Sequence, residues 1–181
     1  MPVIQTKNVL VRRTMNEAKL TKREIEELFN FAKEDERFGV AFRGALSQIR
    51  IKMHLEALGY KVINTQSDNL GKPDFIVNGQ ALEHKRAKNK IFNDGILRAE
   101  FQKSRGKIPQ RLYDTNFSDI VSVDISHHTG IQNDYRYAKA SSLRPHPKHK
   151  NKIASIQLID EKWTSSLKSL IGTNTGVDDE E

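Results

Sequence analysis

The sequence predicts an α/β protein, a mixed central β-sheet flanked by helices. Two observations lead there. Segments of helical and strand periodicity follow one another as α-β-β-β-α-β-α-β-α. In the middle of that series Asn78-Gly79 joins two short apolar runs, a strong signal for a tight hairpin. The chain has 181 residues, one domain's worth, and no internal repeat.

Each element has its own reason. Residues 21–33 read as a helix opened by a Thr21/Glu24 capping box, with Ile25, Leu28, Phe29 and Ala32 on one face. A longer helix is expected over residues 40–58. Its apolar positions Phe42, Ala45, Leu46, Ile49, Met53 and Leu55 recur at three- and four-residue spacing, and Gly59 stops it. The β-branched stretch 60–65 reads as a strand and 67–72 as a turn-rich loop. Residues 74–77 and 80–85 form the hairpin. A helix is expected over 96–107, a buried strand over 119–125, an irregular basic segment over 127–152, a strand over 153–159 and a helix over 161–171 carrying Trp163, Leu167 and Leu170. The whole is one domain over 1–171: a helical segment (1–39), a core (40–125), a basic insert (127–152) and a closing strand and helix (153–171). Residues 172–181 read as an acidic, disordered tail.

Composition narrows the function. There are no cysteines, which removes disulfides, Cys-ligated zinc, Cys nucleophiles and iron–sulfur clusters. No apolar run approaches the ~20 residues of a membrane span, and residues 1–14 lack the apolar core of a secretory signal, so a cytoplasmic protein with no membrane partner is expected. Lys plus Arg number 30 against 23 acids, a net of +7; without Asp178, Asp179, Glu180 and Glu181 the balance is 30 against 19, or +11. A body that basic suits a polyanionic partner, and nucleic acid is the commonest.

The hairpin permits a geometric argument. With Asn78 and Gly79 in the loop, Val77 faces Gln80, Ile76 faces Ala81, Phe75 faces Leu82 and Asp74 faces Glu83. Opposed residues have Cβ atoms about 5 Å apart on one face of the sheet, and Lys85 projects from the face of Glu83. Two opposed carboxylates repel unless a cation sits between them, and such a pair suits Mg²⁺, which takes one or two carboxylates and keeps several waters. Lys85 is then placed to orient or deprotonate a water, or to stabilise charge on a phosphate. The competing reading is that Asp74 caps a turn while Glu83 and Lys85 form a solvated pair.

Pro73-Asp74, eight residues, then Glu83-x-Lys85 resembles the PD-(D/E)XK nuclease superfamily, which includes type II restriction endonucleases and Holliday-junction resolvases. The likeness extends over about residues 43–125, includes the element order and implies a restriction-endonuclease-like core. It implies that Asp74 and Glu83 bind Mg²⁺ (Mn²⁺ able to substitute), with the main chain of His84 as a further ligand, and that Lys85 assists the attacking water. The stretch Arg43-Gly44-Ala45-Leu46-Ser47-Gln48 resembles the resolvase helix in which a metal-site Glu follows a Gly by four residues. Here that position is Gln48, which holds no charge, and the competing reading is a polar residue facing solvent.

Residues 127–152 hold four His and six Lys or Arg against one acid, Asp134. This segment reads as a DNA-recognition insert in which Tyr135, Arg136, Tyr137, Lys139, Arg144, His146, Lys148 and Lys150 contact phosphates or base edges; a solvated loop is the alternative. Arg43, Arg98, Lys103 and Arg105 are further candidates for backbone contacts. The His pairs 127/128 and 146/149 lack zinc-site spacing. The resemblance and the size of the additions to the core favour a Mg²⁺-dependent type II restriction endonuclease. It would cut double-stranded DNA as a homodimer, with a DNA methyltransferase as a possible companion. A structure-specific nuclease and a non-catalytic DNA-binding module are the rivals.

Overall fold

A computed structural model describes residues 22–65, 72–103 and 107–171. Thr21 of the expected capping box, most of the 67–72 loop, Arg105 and the acidic tail lie outside the described residues. The architecture is mixed α/β, as expected. Helix α1 (Lys22–Glu34) meets helix α2 (Glu36–Ala57) at Asp35, whose backbone is extended and whose carboxylate accepts the Phe38 N–H at 2.6 Å. Asp35 therefore caps α2 four residues before the expected start, an acidic N-cap followed by Glu36 in the first turn. The elbow closes because position 39 is glycine: a Cβ there would lie 2.3 Å from the Ala32 carbonyl oxygen.

Strands β1 (Val62–Asn64), β2 (Phe75–Val77), β3 (Gln80–Arg86), β5 (Ile120–Asp124) and β6 (Tyr135–Lys139) form one sheet in the order β1-β2-β3-β5-β6. The pairing of β3 with β5 is parallel and the rest is antiparallel. Strands β4 (Arg98–Glu100) and β7 (Ile156–Leu158) make a separate two-stranded sheet. Helix α2 covers one face of the large sheet, burying Ile51 and Leu55 completely against Phe75, Val77, Leu82, Ile120, Tyr135 and Tyr137. Burial of a side chain such as Leu55 stabilises by roughly 1.5–3 kcal/mol. On the other face Val121, Val123 and Ile125 pack with Ala99, Phe101, Tyr113, Leu143 and Ile153.

Three sequence expectations are corrected. Residues 96–103, the described start of the expected 96–107 helix, are not helical. Leu97, Ala99 and Phe101 turn inward while Arg98 and Glu100 are half-exposed, a period of two that makes β4, so this layer over the sheet is strand and loop. The segment 161–171 is likewise not an α-helix. Thr164 exchanges both main-chain hydrogen bonds with Tyr137 at 2.8 Å, occupying the free edge of β6, and only Leu167–Ser169 coils, as a 3₁₀ turn. Trp163 is held in place by its indole N–H, donated to the Leu158 carbonyl at 2.9 Å. Finally, the basic segment is not irregular throughout. It contributes a short helix, α3 (Ser126–Thr129), and the strand β6, whose Tyr-x-Tyr-Ala pattern is buried in the sheet.

Candidate active site

The turn has the backbone that its sequence demands: Asn78 and Gly79 both take positive φ (47° and 87°), the type I′ geometry. The register is as read, Val77↔Gln80, Ile76↔Ala81 and Phe75↔Leu82, and the next step along brings Asp74 to Glu83. Asp74 Oδ2 accepts the His84 main-chain N–H at 2.8 Å, and Asp74 Oδ1 accepts from Gln48 Nε2 on α2 at 3.1 Å. Gln48 thus reaches the site, and the solvent-facing alternative for it is set aside.

Glu83 is 2% exposed and Asp74 8%, so neither is the surface acid of the bland reading. Lys85 Nζ donates to Glu83 Oε1 at 2.5 Å, and the Tyr113 hydroxyl donates to the same oxygen at 2.6 Å. Sequence reasoning missed Tyr113. It lies 30 residues from Glu83 on a loop, and the only hint was its place beside Phe117, on which its ring stacks at 4.4 Å. Burial raises the pKa of Glu83, Lys85 opposes that rise and the charge of Asp74 adds to it. Burial disfavours charge on Lys85 too, but the Glu83 carboxylate beside it outweighs this and holds the ammonium above its ordinary value. Lys85 is therefore a fixed cation held against Glu83. Burial, with Glu83 next, also lifts Tyr113, keeping it a protonated donor.

The reverse face of β3 carries a second polar cluster. His84 is buried between Ser47 of α2 and Ser122 of β5, each 2.8 Å away, and Ser47 Oγ also donates to Asp124 Oδ2 at 2.9 Å. Because the Ser47 proton goes to Asp124, His84 Nε2 must donate to Ser47 and Nδ1 must accept from Ser122, a neutral ring. Burial pushes its pKa down to about 4. Hydrogen bonds from Ser126 and Ser47 hold Asp124 low despite its burial. This network pins α2 to the strand that bears the site.

The remaining sequence candidates separate. Arg144, Lys148 and Lys150 are exposed and His146 is half-buried on a loop rooted beside Tyr113: Ile153 donates to the Tyr113 carbonyl at 3.1 Å and Lys152 pairs with Asp114. Lys103 joins the same region through its N–H to the Arg111 carbonyl at 2.8 Å. Tyr135 and Tyr137 do not belong with them. They are 3% and 2% exposed, and the Tyr137 hydroxyl has no hydrogen-bond partner among the described residues, so their aromatic signal was core packing. Arg136 is paired with Asp134, and Arg98 with Asp94 while lying 3.8 Å over the Phe92 ring. Lys139 lines a polar cavity with Gln80 and Asp119 at the opposite end of β3 and β5, and Arg43 is exposed on α2.

The donor set tests the metal expectation. Among the described residues no group of three or more His, Asp and Glu is gathered to hold a metal. Two acids remain, Asp74 and the Lys85-bonded Glu83, a donor set that fits Mg²⁺ or Mn²⁺ with waters completing the shell and does not fit a zinc cage. Asp74 and Glu83, with the main chain of His84, are the residues that would hold it.

What the fold and site define is a mixed α/β protein bearing a buried acid pair with a fixed lysine. No protein-family model matches the chain, and no curated protein matches it. Among solved structures, that of a bacterial homing endonuclease is similar at a TM-score of 0.48 and 12% identity, covering 67% of this chain and 78% of that one. At that level the likeness assigns nothing to this chain. No helix of the described residues is long and apolar enough to cross a membrane.

Proposed function

We propose that this protein is a metal-dependent endonuclease that hydrolyses phosphodiester bonds in double-stranded DNA at a specific sequence, a type II restriction endonuclease of the PD-(D/E)XK kind. One observation carries the reading: the hairpin brings Asp74 to Glu83, with the Lys85 ammonium bonded to Glu83 and Gln48 bonded to Asp74. A divalent ion on the two carboxylates would polarise the phosphate and lower the pKa of a bound water. The chain's own groups do the rest. Tyr113 fixes the Glu83 carboxylate, Gln48 fixes that of Asp74, and Lys85 offers its charge to a phosphate oxygen. The exposed cations of the 144–150 loop stand beside this wall to take the flanking backbone.

One site cuts one strand, so cutting a duplex calls for a second copy. The helical elbow suits that contact: Ile25, Phe29, Phe31 and Val40 are each more than 40% exposed, and Phe29, Phe42, Phe38 and Phe31 run as a chain of ring contacts of 5.2–6.0 Å. Phe31→Asp is expected to turn a dimer into a monomer in analytical ultracentrifugation; a wild-type monomer would refute the interface. The reading also implies cytoplasmic action in a prokaryotic or phage-infected cell, beside a methyltransferase that protects the same site.

The test is digestion of a long duplex of known sequence with Mg²⁺, beside Asp74→Ala and an EDTA control. Discrete bands that vanish in both controls are expected. The bond from Gln48 to Asp74 favours a second reading, a structure-specific nuclease, because it sets a helix residue at the acids as in the resolvase pattern. Cutting of a four-way junction but not of the duplex would establish that reading instead. Cutting of neither would leave a basic binding domain.

A further inference from the structure

On the face of β3 opposite Glu83 and Lys85 lies a cavity of about 250 Å³ between Arg50 of α2, Arg86 and Asp124 at the ends of β3 and β5, and residues 126–133, with His127 and Asn133 in its wall. It is smaller than the ~300–1,000 Å³ sites that enclose organic ligands. Its lining is cationic. Arg50 and Arg86 form the wall, and Arg43 is close enough that both Arg43 and Arg50 press like charge on Arg86. Among the described residues no hydrogen bond or ion pair engages any of these three guanidinium groups. Three other arginines are committed: Arg98 to Asp94, Arg136 to Asp134 and Arg111 to the Lys103 carbonyl.

The one carboxylate present does not cancel the charge. Asp124 attracts Arg86 and offsets one positive charge against the three of Arg43, Arg50 and Arg86, while its Oδ1 accepts the Ser126 N–H and its Oδ2 the Ser47 hydroxyl, both at 2.9 Å. Two fork-shaped donors in the wall of a small concavity, Arg50 and Arg86, with the charge of Arg43 close by, match a tetrahedral oxyanion, which guanidinium groups bind in pairs of parallel hydrogen bonds. We propose that this cavity seats a backbone phosphate of a nucleic-acid strand, several nucleotides from the bond that is cut. The placement rests on the nuclease reading; the oxyanion seat itself does not. Lys85 and Arg86 are consecutive and project to opposite faces of β3, so a strand crossing the end of β3 meets the acid pair on one side and the arginines on the other. Ser47 and His84 tie the two walls together.

The experiment measures binding of a fluorescent duplex to the full chain in EDTA, where nothing is cut, over a series of salt concentrations. Arg50→Gln and Arg86→Gln should each weaken binding about tenfold and lower the salt slope by about 1. Arg86→Lys should keep the slope, and Lys52→Gln, whose lysine is paired with Glu56 on α2, should match wild type. In parallel, inorganic phosphate should shift the Arg50 and Arg86 Nε–H signals in NMR spectra. Phosphate shifts with unaltered duplex binding in the variants would overturn the strand assignment in favour of a free anion. No shift and no change would overturn the seat altogether. Loss of duplex binding in the arginine variants, together with a wild-type protein that cuts no DNA, would uphold the seat and refute the nuclease.

Discussion

Lys85→Ala is expected to cost far more stability than Glu83→Gln, although both break the same ion pair, and both should lower cleavage by about 10³-fold or more. The asymmetry comes from burial: the Lys85 side chain is 24% exposed and that of Glu83 3%. With the carboxylate neutralised, Lys85 can turn its ammonium to solvent, and the Tyr113 hydroxyl still has an amide oxygen to bond; a cost of about 1 kcal/mol is expected. With the lysine removed, a buried carboxylate keeps one neutral donor, and the cost rises to about 3 kcal/mol. The pH dependence separates this from simple loss of packing. Glu83 already has its pKa raised by burial, and losing Lys85 removes the main influence holding it down. A raised carboxyl in the folded state takes up its proton more readily than the unfolded chain does. The Lys85→Ala deficit should therefore be small in acid and grow as pH rises from the unfolded value of about 4.5 through the folded one. Denaturant unfolding across that range reads it. A deficit independent of pH would refute the buried carboxylate.

The second large effect is acid lability through His84. Its pKa is about 4 in the fold against 6.5 in the unfolded chain. Above pH 6.5 neither state is protonated and nothing is lost. As pH falls below 6.5 the unfolded chain takes a proton that the folded one refuses, so stability drops steadily to pH 4. The span of about 2.5 units corresponds to about 3 kcal/mol. Glu83 works in the opposite sense, because its raised pKa favours the fold toward acid. His84→Gln isolates the histidine: the variant should be less stable at neutral pH, having lost the bonds to Ser47 and Ser122, and its stability should fall much less between pH 6.5 and 4. An unchanged slope would mean that His84 is accessible to protons in the fold.

Local rules made part of the site legible. Asn78-Gly79 fixes a type I′ turn whatever surrounds it, and that turn sets a register which carries Asp74 to Glu83 and puts Lys85 on the same face. Gln48 was readable as a site residue only through a resemblance, since helical spacing cannot say which neighbour a polar side chain will meet. Tyr113 was not readable, because its meeting with Glu83 depends on how residues 107–119 return over the sheet. The failed helix over 96–107 has the same origin. Ile96, Leu97, Ala99 and Phe101 suit a helix or a strand, and the partner β7, 58 residues on at Ala99↔Gln157, decided between them.

The 127–152 segment divides the two kinds of information most clearly. Its charge is a property of composition, and its exposed cations at 144, 148 and 150 stand in solvent as composition implied. Its tyrosines went into the core because β5 had an open edge and β6 paired with it, from Ile120↔Lys139 to Asp124↔Tyr135. The sequence by itself determined the hairpin, its acid pair and the basic balance, since each depends on residues adjacent in the chain or on a sum over it. Only the tertiary structure decided which cations are spent on acids and which remain free around Arg86, because that turns on distances between segments far apart in sequence.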